Sequence, residues 1–321
     1  MTSRCRFAVT LGDPRGVGPE LTATVLADPL PDLEVVLVGP DDLIEALPAT
    51  RRIGVGTWRG GAGHGDPADP ETRRRALRAG TLAGRAIEQA AALALAGEVD
   101  ALVTAPIEKY ATHLAGYPWP GHTEWLAALA GGVDVAMMLA TDTLRVVLVT
   151  THVALRDVPA LLTTDRIVRT GQVTRHALRE WFGIADPRLA LCALNPHAGE
   201  GGLFGDEEAR ILAPAAVALQ AAGPLPADTV FVRAMEGQFD AVLAPYHDVG
   251  MTAIKVAGFG HGVNITLGLP FPRTSPDHGT AMDIAGTGTA RPDSMRRAFA
   301  LAATLGARNR AGRTEDEGQR T

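Results

Sequence analysis

The run LRVVLVTTH, residues 144–152, decides the fold. Val146 to Val149 are apolar in succession, so a strand here has no polar face and must be covered on both sides. Strands of that kind belong to the sheets of α/β proteins, where helices cover both faces. The run then ends on two threonines and His152. Ligands of open α/β sheets gather at such carboxyl ends of strands.

Working outward, five further runs read the same way: RFAVT (6–10), EVVLVG (34–39), DALVTA (100–105), RLALCAL (188–194) and DAVLAPYH (240–247). Between them lie segments of helical length and composition: Glu71–Ala96, Thr123–Ala130, Thr164–Trp181 and Glu207–Ala222. The alternation predicts an α/β/α layered fold with a largely parallel sheet. RGGAGHGDPADP (59–70) reads as a surface loop. The charged end of the chain, residues 309–321, lacks an apolar pattern and is expected to be a disordered tail.

The totals narrow the class of function. The chain has 321 residues, 46% of them hydrophobic and 21% charged, which suits a globular protein with its own core. A formal net charge of −6 argues against nucleic acid as a partner, because binding it needs a basic face. No apolar stretch approaches the length of a membrane span, and the opening MTSRCRFAVTLGD has no apolar core of a signal peptide. The two cysteines, Cys5 and Cys192, sit in apolar runs and read as buried thiols, so a cytoplasmic setting is expected.

Several polar residues stand just past predicted strands. TLGDPRGVGPE (10–20) is a strand–turn–helix connection with Pro19 suited to a first helical turn; Asp13 and Glu20 are its polar groups if it lines a pocket. In GHTEW (121–125), Thr123 reads as an N-cap, and His122 beside a helix start makes an anion seat. The bland alternative is a capped helix with a surface histidine. His152, His197 and His247 each end a strand or begin the loop after one. One such histidine is usually structural; three neutral imidazoles brought together would make a divalent-metal site with an open position. Asp248 and Glu200 are candidates to orient those rings.

The segment YHDVGMTAIKVAGFGHGVNITLGLPFPR (246–273) is apolar and glycine-rich, yet carries Lys255, Asn264 and Arg273. A cation in apolar company needs an anionic partner, and arginine suits planar contact with carboxylate or phosphate. The segment thus predicts a pocket for a small anion; the alternative is two long side chains reaching solvent.

Taken together, GDPRGVGPE, GHTE, TTHVALRD, NPHAGEGG, GVNITLGLPF and HGTAMDIAGTGTA resemble the 4-hydroxythreonine-4-phosphate dehydrogenase family of pyridoxal phosphate biosynthesis, over nearly the whole chain. The resemblance implies a two-lobed isopropylmalate dehydrogenase-like fold, not a classical Rossmann one. Its expected division is a cofactor-side lobe of residues 1–125 with 275–308, and a metal, substrate and dimerisation lobe of residues 126–274.

It implies a divalent metal (zinc, magnesium, cobalt or manganese) on His152, His197 and His247, with His247 supplied by the neighbouring subunit of a homodimer. Substrate would be bound by His122, Thr123, Lys255, Asn264 and Arg273. Lys255, or less directly Asp248, would move the proton. The cofactor would be NAD, with NADP possible, held by Gly279, Thr280, Asp283 and Gly286. A carboxylate at Asp283 suits the ribose 2′-hydroxyl and repels a 2′-phosphate.

The implied reaction is oxidation with decarboxylation of 4-hydroxythreonine-4-phosphate to 3-amino-2-oxopropyl phosphate. Two departures carry weight, and the second points to a related branch that oxidises 4-phosphorylated threonate or erythronate. Val249 stands where the family usually has Gln after YHD, and GLFGDEE, EGQFD and PDSM resemble that branch. An aromatic dihydrodiol dicarboxylate dehydrogenase and a non-catalytic metabolite sensor are further alternatives.

Overall fold

The computed structural model describes residues 4–28, 30, 33–66, 68–258 and 261–319. It divides into two compact units: Met1–Gly132 with Leu269–Thr321, and Val133–Gly268. The boundaries fall at 132/133 and 268/269, where 125/126 and 274/275 were expected.

The first unit opens with β1 (Cys5–Thr10), α1 (Gly18–Leu26), β2 (Leu33–Gly39), α2 (Asp41–Ile44) and β3 (Arg51–Gly54). It continues through α3 (Pro70–Leu95), β4 (Ala101–Thr104), α4 (Lys109–Leu114) and α5 (His122–Leu129). The second unit contains β5 (Ala136–Ala140), β6 (Arg145–Leu148), α6 (Val158–Leu161), α7 (Thr164–Glu180), β7 (Leu189–Cys192) and α8 (Ala213–Leu219). It ends with β8 (Ala222–Leu225), α9 (Ala227–Met235), β9 (Ala241–Ala244), α10 (His247–Gly258) and β10 (Val263–Leu267). The chain then returns to the first unit as β11 (Arg273–Pro276) and α11 (Asp293–Gln319).

In the first unit the strands run in the order β3-β2-β1-β4-β11, all parallel. Phe7, Ala8 and Val9 point alternately to the two faces and are all fully buried, so both faces are covered. Helices α3 and α11 pack on β1 and β4, and Phe299 of α11 meets Phe7 edge-on at 5.4 Å between ring centroids. The start of α3 follows from Asp69, whose carboxylate accepts from the backbone N–H groups of Glu71 and Thr72, with Pro70 in the first turn.

In the second unit the order is β10-β5-β6-β9-β7-β8. Strands β6, β9 and β7 pair in parallel, as their unbroken apolar runs predict; β8, which has no such run and was not expected, pairs in parallel with β7. β5 is antiparallel to both β6 and β10, which the apolar pattern did not reveal. The β5–β6 connection is only four residues long, room for a hairpin but not for a crossover.

The end of the chain corrects an expectation. Residues 309 to 319 continue α11 where a disordered tail was expected. Arg313 pairs with Asp100 at 2.8 Å and Arg310 donates to the carbonyl of Arg4, so the charged residues dock on the start of β1 and the approach to β4. Cys5 and Cys192 are buried free thiols, as expected. Burial pushes the Cys192 thiol up to about 12 and the Cys5 thiol up to about 11. Among the described residues no helix is long and apolar enough to cross a membrane.

Candidate active site

The carboxyl ends of β6 and β9 are stitched together. The Val149 N–H donates to the Ala244 carbonyl at 2.9 Å, and the Thr150 hydroxyl donates to the Pro245 carbonyl at 2.8 Å. That stitching brings His152 and His247 side by side, with ring centroids 5.5 Å apart. Two imidazoles on one ion, with metal–nitrogen bonds of about 2.0–2.1 Å at a tetrahedral angle, have centroids roughly 5 Å apart. The pair therefore fits a shared divalent cation. Asp248 Oδ1 lies 2.6 Å from His247 Nδ1, which orients the ring and leaves Nε2 as its outward nitrogen.

His197 sits in the loop after β7. Its backbone enters the left-handed region at φ 51°, and residues 197–201 all share that hand. The loop is held from beneath by Glu208, whose buried carboxylate accepts from the Leu194 N–H (2.9 Å), the Asn195 N–H (2.7 Å) and Asn195 Nδ2 (2.9 Å). Among the described residues of one chain, no three His, Cys, Asp or Glu side chains are arranged to hold a metal ion. His152 and His247 are thus together within one chain, where His247 was expected from the neighbouring subunit, whereas His197 is not in a ready-made set with them. Sequence reasoning passed over Glu208; the signal available was a glycine-rich loop whose backbone donors need an acceptor. Glu200, the expected buttress, is exposed.

Lys255 and Asn264 lie in different elements. Lys255 is an exposed residue of α10, seven positions past Asp248 and so on its side of the helix. Asn264 lies in β10, and its Oδ1 is buried with no hydrogen-bond partner among the described residues. A buried acceptor left open in this way is suited to a ligand donor.

In the first unit, Arg273 at the start of β11 is 3% exposed, and its Nε and Nη2 both donate to the Thr104 hydroxyl at the end of β4 (2.9 and 2.6 Å). Burial lowers its pKa to about 9 against the opposing pull of Glu124, so the guanidinium stays cationic at neutral pH. His122 has a buried Nε2 with no hydrogen-bond partner among the described residues. Burial, and then the Arg273 charge, drives its pKa well below the ordinary histidine value, so it is neutral. Thr123 is buried, but it is not the N-cap that was expected. The first i→i−4 bond runs from Trp125 N–H to the Gly121 carbonyl, which starts the helix one residue before Thr123.

The loop between β1 and α1 forms the other polar cluster of this unit. Asp13 is 1% exposed and Arg15 3%. Arg15 grips Asp13 with Nε (3.0 Å) and Nη2 (2.6 Å), and Nη2 also reaches Glu108 at 2.5 Å. Gly12, at φ +70°, lies where a Cβ would meet the Pro106 carbonyl at 2.2 Å, which ties this loop to the one after β4. Asp13, one of the two polar groups this loop could offer a pocket, is paired with Arg15. Residues 282–288 form successive turns, with Asp283 and Gly286 exposed.

Known proteins resemble this chain over most of its length. The family described as "Pyridoxal phosphate biosynthetic protein PdxA" matches residues 66–302. A 4-hydroxythreonine-4-phosphate dehydrogenase of Geobacter metallireducens is 46% identical, covering 94% of this chain and 95% of the relative. A D-threonate 4-phosphate dehydrogenase of Salmonella typhimurium is 44% identical, covering 93% of this chain and 98% of the relative. The crystal structure of a 4-hydroxythreonine-4-phosphate dehydrogenase from Klebsiella pneumoniae superposes with a TM-score of 0.80 at 40% identity, covering 94% of this chain and 99% of that one.

Proposed function

This chain belongs to the pyridoxal phosphate biosynthetic protein PdxA family, and on that premise we propose that it is a metal-dependent, NAD-linked dehydrogenase of 4-hydroxythreonine-4-phosphate. It oxidises a CH–OH group, with decarboxylation to 3-amino-2-oxopropyl phosphate. The observation that carries the metal-dependent part is the His152–His247 pair, 5.5 Å apart and with Asp248 on His247 Nδ1.

Lewis-acid stabilisation of the reacting hydroxyl is what a divalent cation supplies when bound, and hydride acceptance is what a nicotinamide supplies. His152, His197 and His247 would hold that cation; imidazole donors suit zinc, with cobalt, magnesium and manganese the other candidates. His122, Thr123 and Arg273 would grip the anionic substrate. Arg273 brings a fixed fork and His122 a neutral ring that can donate or accept. Asn264 would contact the substrate through its open Oδ1. Lys255, exposed on α10, would carry the proton, with Asp248 a weaker candidate.

Gly279, Thr280, Asp283 and Gly286 would contact NAD. The exposed Asp283 favours it over NADP, whose 2′-phosphate a carboxylate repels. A homodimer with shared active sites belongs to this reading, because one chain's described residues offer no complete set of three ligands. An apolar hollow of about 590 Å³ beside Asp248, lined by Leu144, Phe231, Met235, Val249 and Val256, supports such an interface. A cytoplasmic location is part of the same proposal.

One specific observation favours a second reading, oxidation of D-threonate 4-phosphate. Relatives of that name are 43–44% identical, against 46% for one named for the first activity. The two substrates differ in an amine against a hydroxyl. Side-by-side kcat/KM values with NAD for 4-hydroxythreonine-4-phosphate and D-threonate 4-phosphate decide between them. The first reading expects the amine substrate to lead by at least tenfold, and a lead for the sugar acid would overturn it.

A further inference from the structure

The segment from Thr280 to Gly286 has almost no regular structure of its own, yet it is fastened at both ends to the start of α1. At one end the Val17 N–H donates to the Thr280 carbonyl at 2.9 Å. The approach is so close that a Cβ on Gly16 would lie 2.8 Å from that carbonyl. At the other end the Gly286 N–H donates to Glu20 Oε2 at 2.9 Å, across 266 residues of sequence. The second oxygen, Glu20 Oε1, is buried and has no hydrogen-bond partner among the described residues. A third contact comes from the loop after β3, where the Gly63 N–H donates to the Arg15 carbonyl at 2.7 Å, and the Ala62 methyl lies 2.9 Å from where a Gly286 Cβ would stand.

A carboxylate half-removed from water to hold one backbone amide is an expensive anchor unless the shape it fixes matters. What it fixes is the turn that carries Asp283 to solvent. We propose that Glu20 is a positioning residue for the dinucleotide: with the Val17 amide it clamps residues 280–286 so that Asp283 stands preformed for the ribose. The inference rests on the reading of this segment as the cofactor loop. Its physical basis is preorganisation. A loop already held in the bound shape does not have to be ordered when the ligand arrives.

The test uses the full-length enzyme and two readouts. Glu20→Ala removes the acceptor; Glu20→Gln keeps an oxygen that can accept from the Gly286 N–H. Gly16→Ala disturbs the same segment from its other end. Hydrogen exchange without any ligand reports the clamp, and calorimetric titration with NAD reports its use. For Glu20→Ala, exchange at residues 281–288 accelerates and the Kd for NAD rises by about tenfold, the scale of one charge-assisted hydrogen bond. Glu20→Gln recovers most of both, while affinity for the phosphorylated hydroxy acid is unchanged in either variant. Unchanged exchange in both Glu20→Ala and Gly16→Ala would overturn the clamp. Faster exchange with an unchanged Kd for NAD would overturn the positioning role. A wild-type enzyme that binds no dinucleotide would sink the cofactor reading instead, and the proposal with it.

Discussion

Arg273 and Thr104 stand on neighbouring parallel strands, and the threonine hydroxyl accepts two hydrogen bonds from the one guanidinium. Such a buried cation is tolerable only where acceptors surround it. Thr104→Val removes this acceptor while keeping the shape. Unfolding free energy, measured in denaturant, should fall by about 1–3 kcal/mol. The KM for the phosphorylated substrate should rise, because the guanidinium is no longer aimed. Thr104→Ser should restore both. An unaltered KM in Thr104→Val would show that the pair is purely structural.

The neutral state of His122 makes a prediction about pH. Its pKa is depressed in the folded chain and ordinary in the unfolded one. Above about pH 6.5 neither state is protonated there and the residue contributes no pH dependence. As pH falls below that value the unfolded state binds the proton first, so stability declines by up to about 1.4 kcal/mol per pH unit. His122→Asn should flatten the curve of unfolding free energy against pH between neutral and mildly acid conditions. If wild type and variant lose stability in parallel, the ring is not held neutral.

Glu208 is expected to act on His197 through the loop between them. Glu208→Ala leaves two backbone donors without their acceptor and the Asn195 amide with Glu207 alone. Affinity for zinc, read by calorimetry, should fall by about 10–100-fold, the range seen when groups supporting metal ligands are removed. Metal affinity equal to wild type would detach this loop from the metal.

Asp283 is exposed at a turn, so its replacement should leave stability alone. Asp283→Ser should narrow the ratio of kcat/KM for NAD over NADP by about tenfold or more, because a repulsive carboxylate beside the 2′-phosphate is gone. An unchanged ratio would remove Asp283 from the cofactor.

Much of this fold was legible because burial on both faces leaves an unmistakable mark. Val146 to Val149 and Ala241 to Ala244 could only be strands with helices on either side. The antiparallel β5 was not legible, since AMMLA is short and equally at home in a helix. The order of the charged residues near the chain end hid α11 behind a composition typical of disorder; the pairing with Asp100 exists only in three dimensions. At the site, His152 and His247 were found by their place at strand ends, and the structure brings them together. Lys255 and Arg273 looked alike in sequence, one cation each in apolar company. Their surroundings differ because one lies on the outer side of α10 and the other at the buried start of β11. Thr104 and Glu208 escaped notice because hydrogen bonds across 169 residues, or from beneath a loop, leave no spacing to read.

The central claim is that His152, His197 and His247 serve one divalent ion on which turnover depends. Metal content of the purified chain by plasma emission, alongside activity, tests it for wild type, His152→Ala and His197→Ala. The account predicts one ion per chain in wild type, its loss in both variants, no turnover in either, and unchanged circular dichroism. A correctly folded variant that turns over substrate without metal, or keeps a full complement of it, would contradict the account.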